Sequence, residues 1–152
     1  MEKTKTFLKF IYVSFFCNLV YPSDYINLLG TSGYYLTPSA KFMEEGSLGF
    51  NFGKNYAFSK ANFVAQPYEN IEVSIFYSDI PNKAYPLSLG QSYKDKGFNF
   101  KFKVLEEGKV NPAIAIGMSD IAGSGIFSGE FIVATKKINN FELSAGLGWG
   151  IY

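Results

Sequence analysis

The sequence contains no arginine and no histidine, and it has a single cysteine among its 152 residues. Without arginine the chain cannot form bidentate guanidinium clamps on phosphate. Without histidine it lacks imidazole acid–base groups and a common metal ligand. A single cysteine excludes an intrachain disulfide and argues against a cysteine-ligated metal cluster. These absences remove most common catalytic designs, so we predict no enzyme, no catalytic residues, no cofactor and no metal site.

Charge is also scarce in this sequence. Charged residues make up 18% of the chain and the formal net charge is +1, which gives no electrostatic basis for binding nucleic acid. Hydrophobic residues make up 47% of the chain, which is too apolar for a disordered protein. Aromatic residues make up 18%, which is a high share for a soluble domain. The length favours one folded domain with its own core.

The N-terminus has the pattern of an export signal. Three lysines lie within the first nine residues, and an apolar stretch follows as far as Val20. The uninterrupted apolar stretch is shorter than the roughly 18–20 residues that a membrane-spanning helix needs. We therefore predict a secretory signal peptide, with a membrane-anchoring helix as the alternative.

These features divide the chain into three parts. Residues 1–23 are predicted as the signal peptide, residues 24–45 as an N-terminal lead-in segment, and residues 46–152 as β-strands. A lipid anchor on Cys17 is disfavoured, because Phe16 stands where a small residue normally precedes a lipidated cysteine.

Beyond residue 45, apolar residues alternate with polar or small ones at the period of two that is typical of β-strands. The clearest alternation covers residues 98–104 and 141–151. Similar patterns predict further strands over residues 48–53, 71–78, 113–119 and 127–135. A seventh strand, over residues 56–65, is needed to connect the first two.

The breaks between these strands predict an antiparallel meander. Turn-forming residues lie near 66–70, 106–108, 120–125 and 137–140, and one long connection is predicted from Ile80 to Lys96. Short turns on one side and longer connections on the other are typical of outer-membrane barrels. Strands of about nine to eleven residues also match the thickness of a bilayer.

Aromatic residues near the predicted strand ends could form the girdles of a membrane barrel. They are Tyr56, Tyr77, Trp149 and Tyr152. A soluble β-sandwich has strands that alternate in the same way, so the pattern alone leaves both architectures open.

Several short motifs follow one another in a specific order over residues 30–150. They include GYYLTPSAKFM at 33–43, EGSL at 45–48, QSYKDKGF at 91–98, LEEG at 105–108, PAIAIG at 112–117 and GLGWG at 146–150. In this order they resemble the YjbH family, outer-membrane proteins linked to exopolysaccharide biosynthesis and secretion. Family members are several times longer than this chain.

The resemblance implies an all-β fold, an antiparallel meander of about seven strands that forms an incomplete part of an outer-membrane β-barrel. It implies location in the bacterial outer membrane, contact with outer-membrane lipid, and a role in exopolysaccharide biosynthesis or export as passage or scaffold. Surface polysaccharide and other exopolysaccharide-export proteins are the implied partners. The alternative is a secreted soluble β-sandwich that binds carbohydrate or protein.

Two sets of side chains are candidates for function. The first set lies on the polar strand faces and could line a lumen, or could form buried pairs that satisfy one another: Glu72, Asn99, Lys101, Lys103, Glu130 and Glu142. On the same strands we expect Phe98, Phe100, Phe102, Leu143 and Leu147 to face lipid. A glycosidase pair of Glu130 and Glu142 would need a defined separation across a sugar cleft, which the sequence does not show.

The second set lies in the predicted long connection and could contact polysaccharide: Gln91, Tyr93, Lys94, Asp95 and Lys96. Tyrosine, glutamine and lysine can stack on sugars or hydrogen-bond to their hydroxyls. The alternative is a well-specified loop without a ligand.

Overall fold

The computed structural model describes residues 25–84 and 90–152, together with the backbone of residues 16–18. The secondary structure of these residues consists of β-strands. The strands are β1 (Phe16–Asn18), β2 (Gly33–Tyr34), β3 (Thr37–Pro38), β4 (Leu48–Lys54), β5 (Ser59–Tyr68), β6 (Ile71–Ala84), β7 (Ser92–Leu105), β8 (Ala113–Ile121), β9 (Gly129–Ile138) and β10 (Phe141–Gly150). No helix in the described parts is long and apolar enough to cross a membrane.

The seven long strands, β4 to β10, form a single antiparallel sheet in which every strand pairs with its neighbour in sequence. The sheet curls into a half-barrel, and among the described residues no pairing joins β4 to the opposite edge. The predicted all-β meander of about seven strands is therefore confirmed. The strands lie in one curled sheet rather than in the two facing sheets of a sandwich.

The far edge of the sheet is formed by β1, which pairs with β10. Of the predicted signal peptide, which covers residues 1–23, residues 1–15 and 19–23 lie outside the described residues. β1 falls within that predicted peptide.

Side chains along each strand alternate between a buried concave face and an exposed convex face, as the pleat of a strand requires. In β6, Glu72 and Ser74 are buried on the concave face, whereas Val73 and Ile75 are exposed on the convex face. The same alternation in the other strands makes the concave face largely polar and the convex face apolar.

The predicted connection from Ile80 to Lys96 is shorter than expected. Pairing between β6 and β7 continues to Ala84 and Ser92, with a β-bulge after Ile80. Polar contacts replace apolar alternation in this region, which is why the pattern did not reveal it. Lys94 Nζ lies 2.8 Å from Asp79 Oδ1, and the Ser92 hydroxyl donates to the same oxygen at 2.5 Å.

The strands are joined by tight hairpin turns and by longer connections. At the lower end, residues 69–70 and 139–140 form two-residue hairpin turns, and Asn139 adopts a φ of +54° there. Asparagine tolerates this left-handed conformation better than most residues. Longer connections lie at both ends, with residues 106–112 at the lower end and residues 122–128 at the upper end.

Tyr152 does not belong to an exposed aromatic girdle. Its ring packs edge-on against Phe131 with 4.9 Å between centroids, and its hydroxyl lies 2.5 Å from the Ser119 hydroxyl. Burial raises the pKa of Tyr152 to about 12. The residue therefore contributes to the interior, while Tyr56, Tyr77 and Trp149 are exposed.

Candidate functional site

The lead-in segment, described from Tyr25 onwards, lies in the concave face of the half-barrel. Its β2–β3 hairpin is closed by the pairs Gly33–Pro38 and Tyr34–Thr37. Its apolar side chains join the interior of the protein, and the buried ones are Leu28, Leu29, Ala40 and Met43. The segment is thus an integral part of the core.

A tight turn before the hairpin is held by polar side chains of three strands. Ser74 of β6 donates its hydroxyl to the carbonyl of Gly30 at 2.6 Å, and Asn99 of β7 donates to the carbonyl of Leu29 at 2.9 Å. Asn99 also donates to the Ser74 hydroxyl oxygen at 2.8 Å. Lys60 of β5 reaches the Leu29 carbonyl at 3.3 Å. Concave-face polar groups therefore pair with lead-in backbone carbonyls.

Gly30 allows this close approach. It has a φ of +93°, and a Cβ at this position would lie 2.5 Å from Asn62 Oδ1 and 3.0 Å from Asn99 Nδ2. Glycine is the residue that adopts such a conformation without steric cost. The turn and the wall behind it therefore fit only with glycine at this position.

A buried ion pair lies below the turn. Glu72 of β6 and Lys101 of β7 are direct cross-strand partners with 3.2 Å between Oε1 and Nζ, and both side chains are fully buried. The backbone N–H of Ser32 donates to Glu72 at 3.0 Å, and its hydroxyl also donates to that carboxylate. Lys101 donates to the carbonyl of Lys41 at 2.7 Å and lies 4.3 Å from the centre of the Phe42 ring. The ion pair thus holds both ends of the β2–β3 hairpin.

The lower end of the lead-in is fixed by a cluster of charges. Lys41 Nζ lies 2.6 Å from Glu107, and Lys136 Nζ lies 3.5 Å from the same carboxylate. The backbone N–H of Lys137 also donates to Glu107 at 2.8 Å. Partial burial opposes ionisation of Glu107, but the bond from Lys41 and the Lys137 N–H outweigh it and hold the pKa of the carboxyl below its usual value.

Two further contacts tie the hairpin to β9 and β10. The Tyr34 hydroxyl donates to Glu142, and burial together with this carboxylate raises the pKa of Tyr34 well above its usual value. The backbone N–H of Ala40 donates to the Thr135 hydroxyl at 2.8 Å, which in turn contacts the Ser144 hydroxyl at 2.8 Å. The segment consequently contacts most of the sheet, from β4 to β10.

The structure brings five of the six predicted lumen residues to the lead-in or its immediate surroundings. Glu72, Asn99 and Lys101 are fully buried beneath the segment, and Glu142 contacts Tyr34. In the described residues these side chains bind the lead-in and do not line an open channel.

Lys103 is the fifth of these residues and lies near the lower rim, where its Nζ is 2.7 Å from Glu106 and 5.2 Å from the centre of the Phe42 ring. Glu130 occupies the convex face, where its cross-strand partners are Met118 and Trp149. The expectation that apolar residues face outwards fails in β9, where Phe131 and Val133 are buried on the concave face.

Four of the five predicted loop-contact residues belong to β7. Tyr93, Lys94, Asp95 and Lys96 are strand residues, and only Gln91 precedes the strand. Asp95 is buried on the concave face, whereas Lys96 is exposed on the convex face. The structure therefore divides this set between the two faces.

Sequence reasoning missed the concave-face residues that hold the lead-in from the other strands. They are Lys60, Asn62, Ser74 and Thr135. The signal was present in β5, where Lys60, Asn62 and Gln66 occupy alternate positions that a soluble sheet would normally fill with apolar side chains.

A family model described as exopolysaccharide biosynthesis protein YbjH matches residues 26–152. The chain belongs to the YjbH family. Among curated proteins it is similar to the uncharacterized lipoprotein YjbH of Escherichia coli (strain K12), with 34% identity over 125 residues. The match covers 80% of this chain and 18% of that relative, so the chain spans less than a fifth of the relative's length. No solved structure matches.

The region matched to the YjbH family includes the lead-in as well as the strands β4 to β10. The hairpin and the wall that binds it are therefore parts of one family unit.

Proposed function

We propose that this chain is part of a β-barrel in the bacterial outer membrane, and that it serves exopolysaccharide biosynthesis or export as a scaffold. The observation that carries the proposal is the inverted distribution of polarity. The convex face is apolar and exposed, while the concave face is polar and buried, which is the arrangement of a membrane barrel.

The convex face offers a wide apolar surface. Phe50 is 60% exposed, Phe98 55% and Leu147 48%. They belong to β4, β7 and β10, so the apolar surface extends across the whole sheet. Contiguous apolar surfaces of this kind are rare on soluble monomers. Covering each such side chain with lipid is worth roughly 1.5–3 kcal/mol, so lipid is a suitable environment for this face.

Occupation of the concave face favours a scaffold over a passage in this part of the protein. The buried Glu72–Lys101 pair and the side chains of Ser74 and Asn99 are paired with the lead-in. Any polymer passing this wall would have to displace the segment and leave those groups unpaired, at a cost of about 1–3 kcal/mol for each. We propose no catalytic step.

The name of the relative supports a membrane location. It is described as a lipoprotein, which is consistent with export and membrane association. We infer that the partners of this chain are outer-membrane lipid and, through the export role of the family, surface polysaccharide and other export proteins.

Cell fractionation of the full-length protein tests the proposal. We expect the protein in the outer-membrane fraction, extracted only by detergent, with a shift in electrophoretic mobility when the sample is heated. A variant without residues 1–23 should remain in the cytoplasm. Release of the intact protein with the periplasm would contradict the proposal, and turnover of purified exopolysaccharide by the protein would contradict its scaffold role.

A further inference from the structure

Three buried oxygen atoms at the upper end of the concave face have no hydrogen-bond partner in the described residues: Ser78 Oγ, Asp95 Oδ2 and Asp120 Oδ1. Ser78 is fully buried, and the two aspartates are 5% and 6% exposed. Each carboxylate uses its other oxygen within the fold. Asp95 Oδ1 accepts the Lys96 N–H at 2.9 Å, and Asp120 Oδ2 accepts the Phe127 N–H at 3.0 Å. One oxygen of each carboxylate is therefore left for a ligand.

The sheet gathers these three oxygens into one cluster. Ser78 and Asp95 are direct cross-strand partners on β6 and β7, which places their Cβ atoms about 5 Å apart. Asp120 Oδ1 lies over Gly97, the next concave residue along β7, where a Cβ would be 2.5 Å from it. The unpartnered hydroxyl and the two unpartnered carboxylate oxygens thus occupy neighbouring positions.

A backbone oxygen borders the same space. A Cβ at Gly123 would collide with Asp120 Oδ1 and would also lie 2.8 Å from the carbonyl oxygen of Lys96. Both oxygens therefore approach the bare backbone of Gly123, which makes the Lys96 carbonyl a fourth oxygen atom close to the cluster.

The two carboxylates also lack a direct counter-charge. In the part of the chain that the structure describes, neither forms an ion pair with a lysine. Lys60 is the cross-strand partner of Ser78, but its Nζ lies 3.6 Å from the centre of the Phe76 ring and donates to the Leu29 carbonyl. Burial of charge without a direct partner is costly. A bound cation would offset that cost.

We propose that Ser78, Asp95 and Asp120 bind a calcium ion. Ca²⁺ takes oxygen ligands in flexible geometry, whereas Mg²⁺ requires a near-ideal octahedron. No group of three or more acidic side chains among the described residues could hold a metal ion, so this site needs the hydroxyl and the Lys96 carbonyl as well. The absence of histidine and cysteine, from which we expected no metal site, does not bear on oxygen ligands. Such a site would form whether or not the convex face contacts lipid.

Hydrogen exchange of the purified full-length protein in detergent, followed by mass spectrometry, tests the site with CaCl₂ as the probe. The Phe127 N–H, which is bound by Asp120, lies in the reporting segment, residues 118–128. A site with two carboxylates should bind Ca²⁺ with a Kd of about 1 mM, so about 10 mM CaCl₂ should slow exchange there about tenfold. The same concentration of MgCl₂ should slow it less.

Asparagine substitutions remove the two free carboxylate oxygens one at a time. Asp120→Asn and Asp95→Asn each keep one oxygen to accept the existing backbone N–H, and each should abolish the effect of CaCl₂. Asp79→Asn is the matched control, because Asp79 lies at the upper part of β6 but is already bound by Lys94 at 2.8 Å. It should leave the effect of CaCl₂ unchanged.

Exchange over residues 118–128 that CaCl₂ does not slow in the unmodified protein would overturn the site. So would an undiminished effect of CaCl₂ in the two asparagine variants. Equal or stronger slowing by MgCl₂ would overturn the assignment to calcium. Should Asp120→Asn fail to fold, Asp95→Asn and Ser78→Ala still decide the question, because an undiminished effect of CaCl₂ in both would contradict the proposed ligands.

Discussion

Glu72 and Lys101 stand directly opposite each other on β6 and β7, with 3.2 Å between their charged atoms and no more than 1% of either side chain exposed. Removing one partner of a buried ion pair leaves an uncompensated charge. We expect Glu72→Gln to lower the free energy of unfolding by about 3–5 kcal/mol. The double variant Glu72→Gln/Lys101→Met should recover much of that loss. Urea unfolding of the detergent-solubilised protein measures both.

The exposed pair of Lys103 and Glu106 is the control for this experiment. Its atoms are 2.7 Å apart, but the Glu106 side chain is 75% exposed. Exposed ion pairs contribute up to about 1 kcal/mol, so Glu106→Gln should change stability little. Equal losses for Glu72→Gln and Glu106→Gln would show that the central pair is not buried as described.

Gly30→Ala should release the lead-in. The substitution combines a φ of +93° with a Cβ only 2.5 Å from Asn62 Oδ1, and we expect a cost of about 1–3 kcal/mol. The rate of tryptic cleavage after Lys41 reports release of the segment, and it should rise about tenfold.

Gly125→Ala is the control for a positive φ without steric contact, in the connection between β8 and β9. Gly125 has a φ of +80°, but a Cβ there would meet nothing within 4 Å. It should leave cleavage after Lys41 unchanged. If both variants behave alike, the turn does not depend on the close approach of β5.

The contact between Lys41 and Glu107 predicts a pH dependence. The pKa of Glu107 is lower in the folded protein than its usual value, despite the opposing effect of partial burial, because Lys41, the Lys137 N–H and Lys136 favour the carboxylate. Its contribution to stability is therefore fully present above the unfolded pKa of about 4.5 and is lost as the pH falls through the lower folded pKa. Trypsin is inactive at such a low pH, so the midpoint of urea unfolding is measured instead.

Glu107→Gln provides the comparison for that measurement. We expect the variant to be about 1 kcal/mol less stable than the unmodified protein near neutral pH. The difference should shrink as the pH falls below 4.5, the usual value for this carboxyl. A difference that stays constant between neutral and acidic pH would contradict a role for the Glu107 charge.

Much of the fold was predictable from the sequence, because one physical rule governs it. Strict alternation in residues 98–104 and 141–151 located β7 and β10, and the strand inferred over residues 56–65 corresponds to β5. The outer ends of β6 and β7 were missed, since their pairing relies on polar contacts such as Asp79 with Lys94. Polar cross-strand pairs leave no hydrophobic period to detect.

The candidate site was less accessible to sequence reasoning. Alternation placed Glu72 and Lys101 on one face, but it could not show that a segment 40 to 69 residues earlier in the sequence covers them. Such contacts depend on how the sheet curls around the lead-in. Glu130 shows the opposite problem, because β9 turns the apolar residues Phe131 and Val133 to the concave face and thereby leaves Glu130 on the convex face.

The central claim is that the convex face contacts lipid, and cysteine labelling in native membranes tests it most directly. Phe98 is 55% exposed on that face, and Lys109 is exposed on the lower turn. We would introduce single cysteines at both positions of the full-length protein in which Cys17 is replaced by serine. We predict that Lys109→Cys reacts with a water-soluble maleimide, while Phe98→Cys reacts only with a membrane-partitioning one. Rapid reaction of Phe98→Cys with the water-soluble reagent in intact membranes would contradict the account.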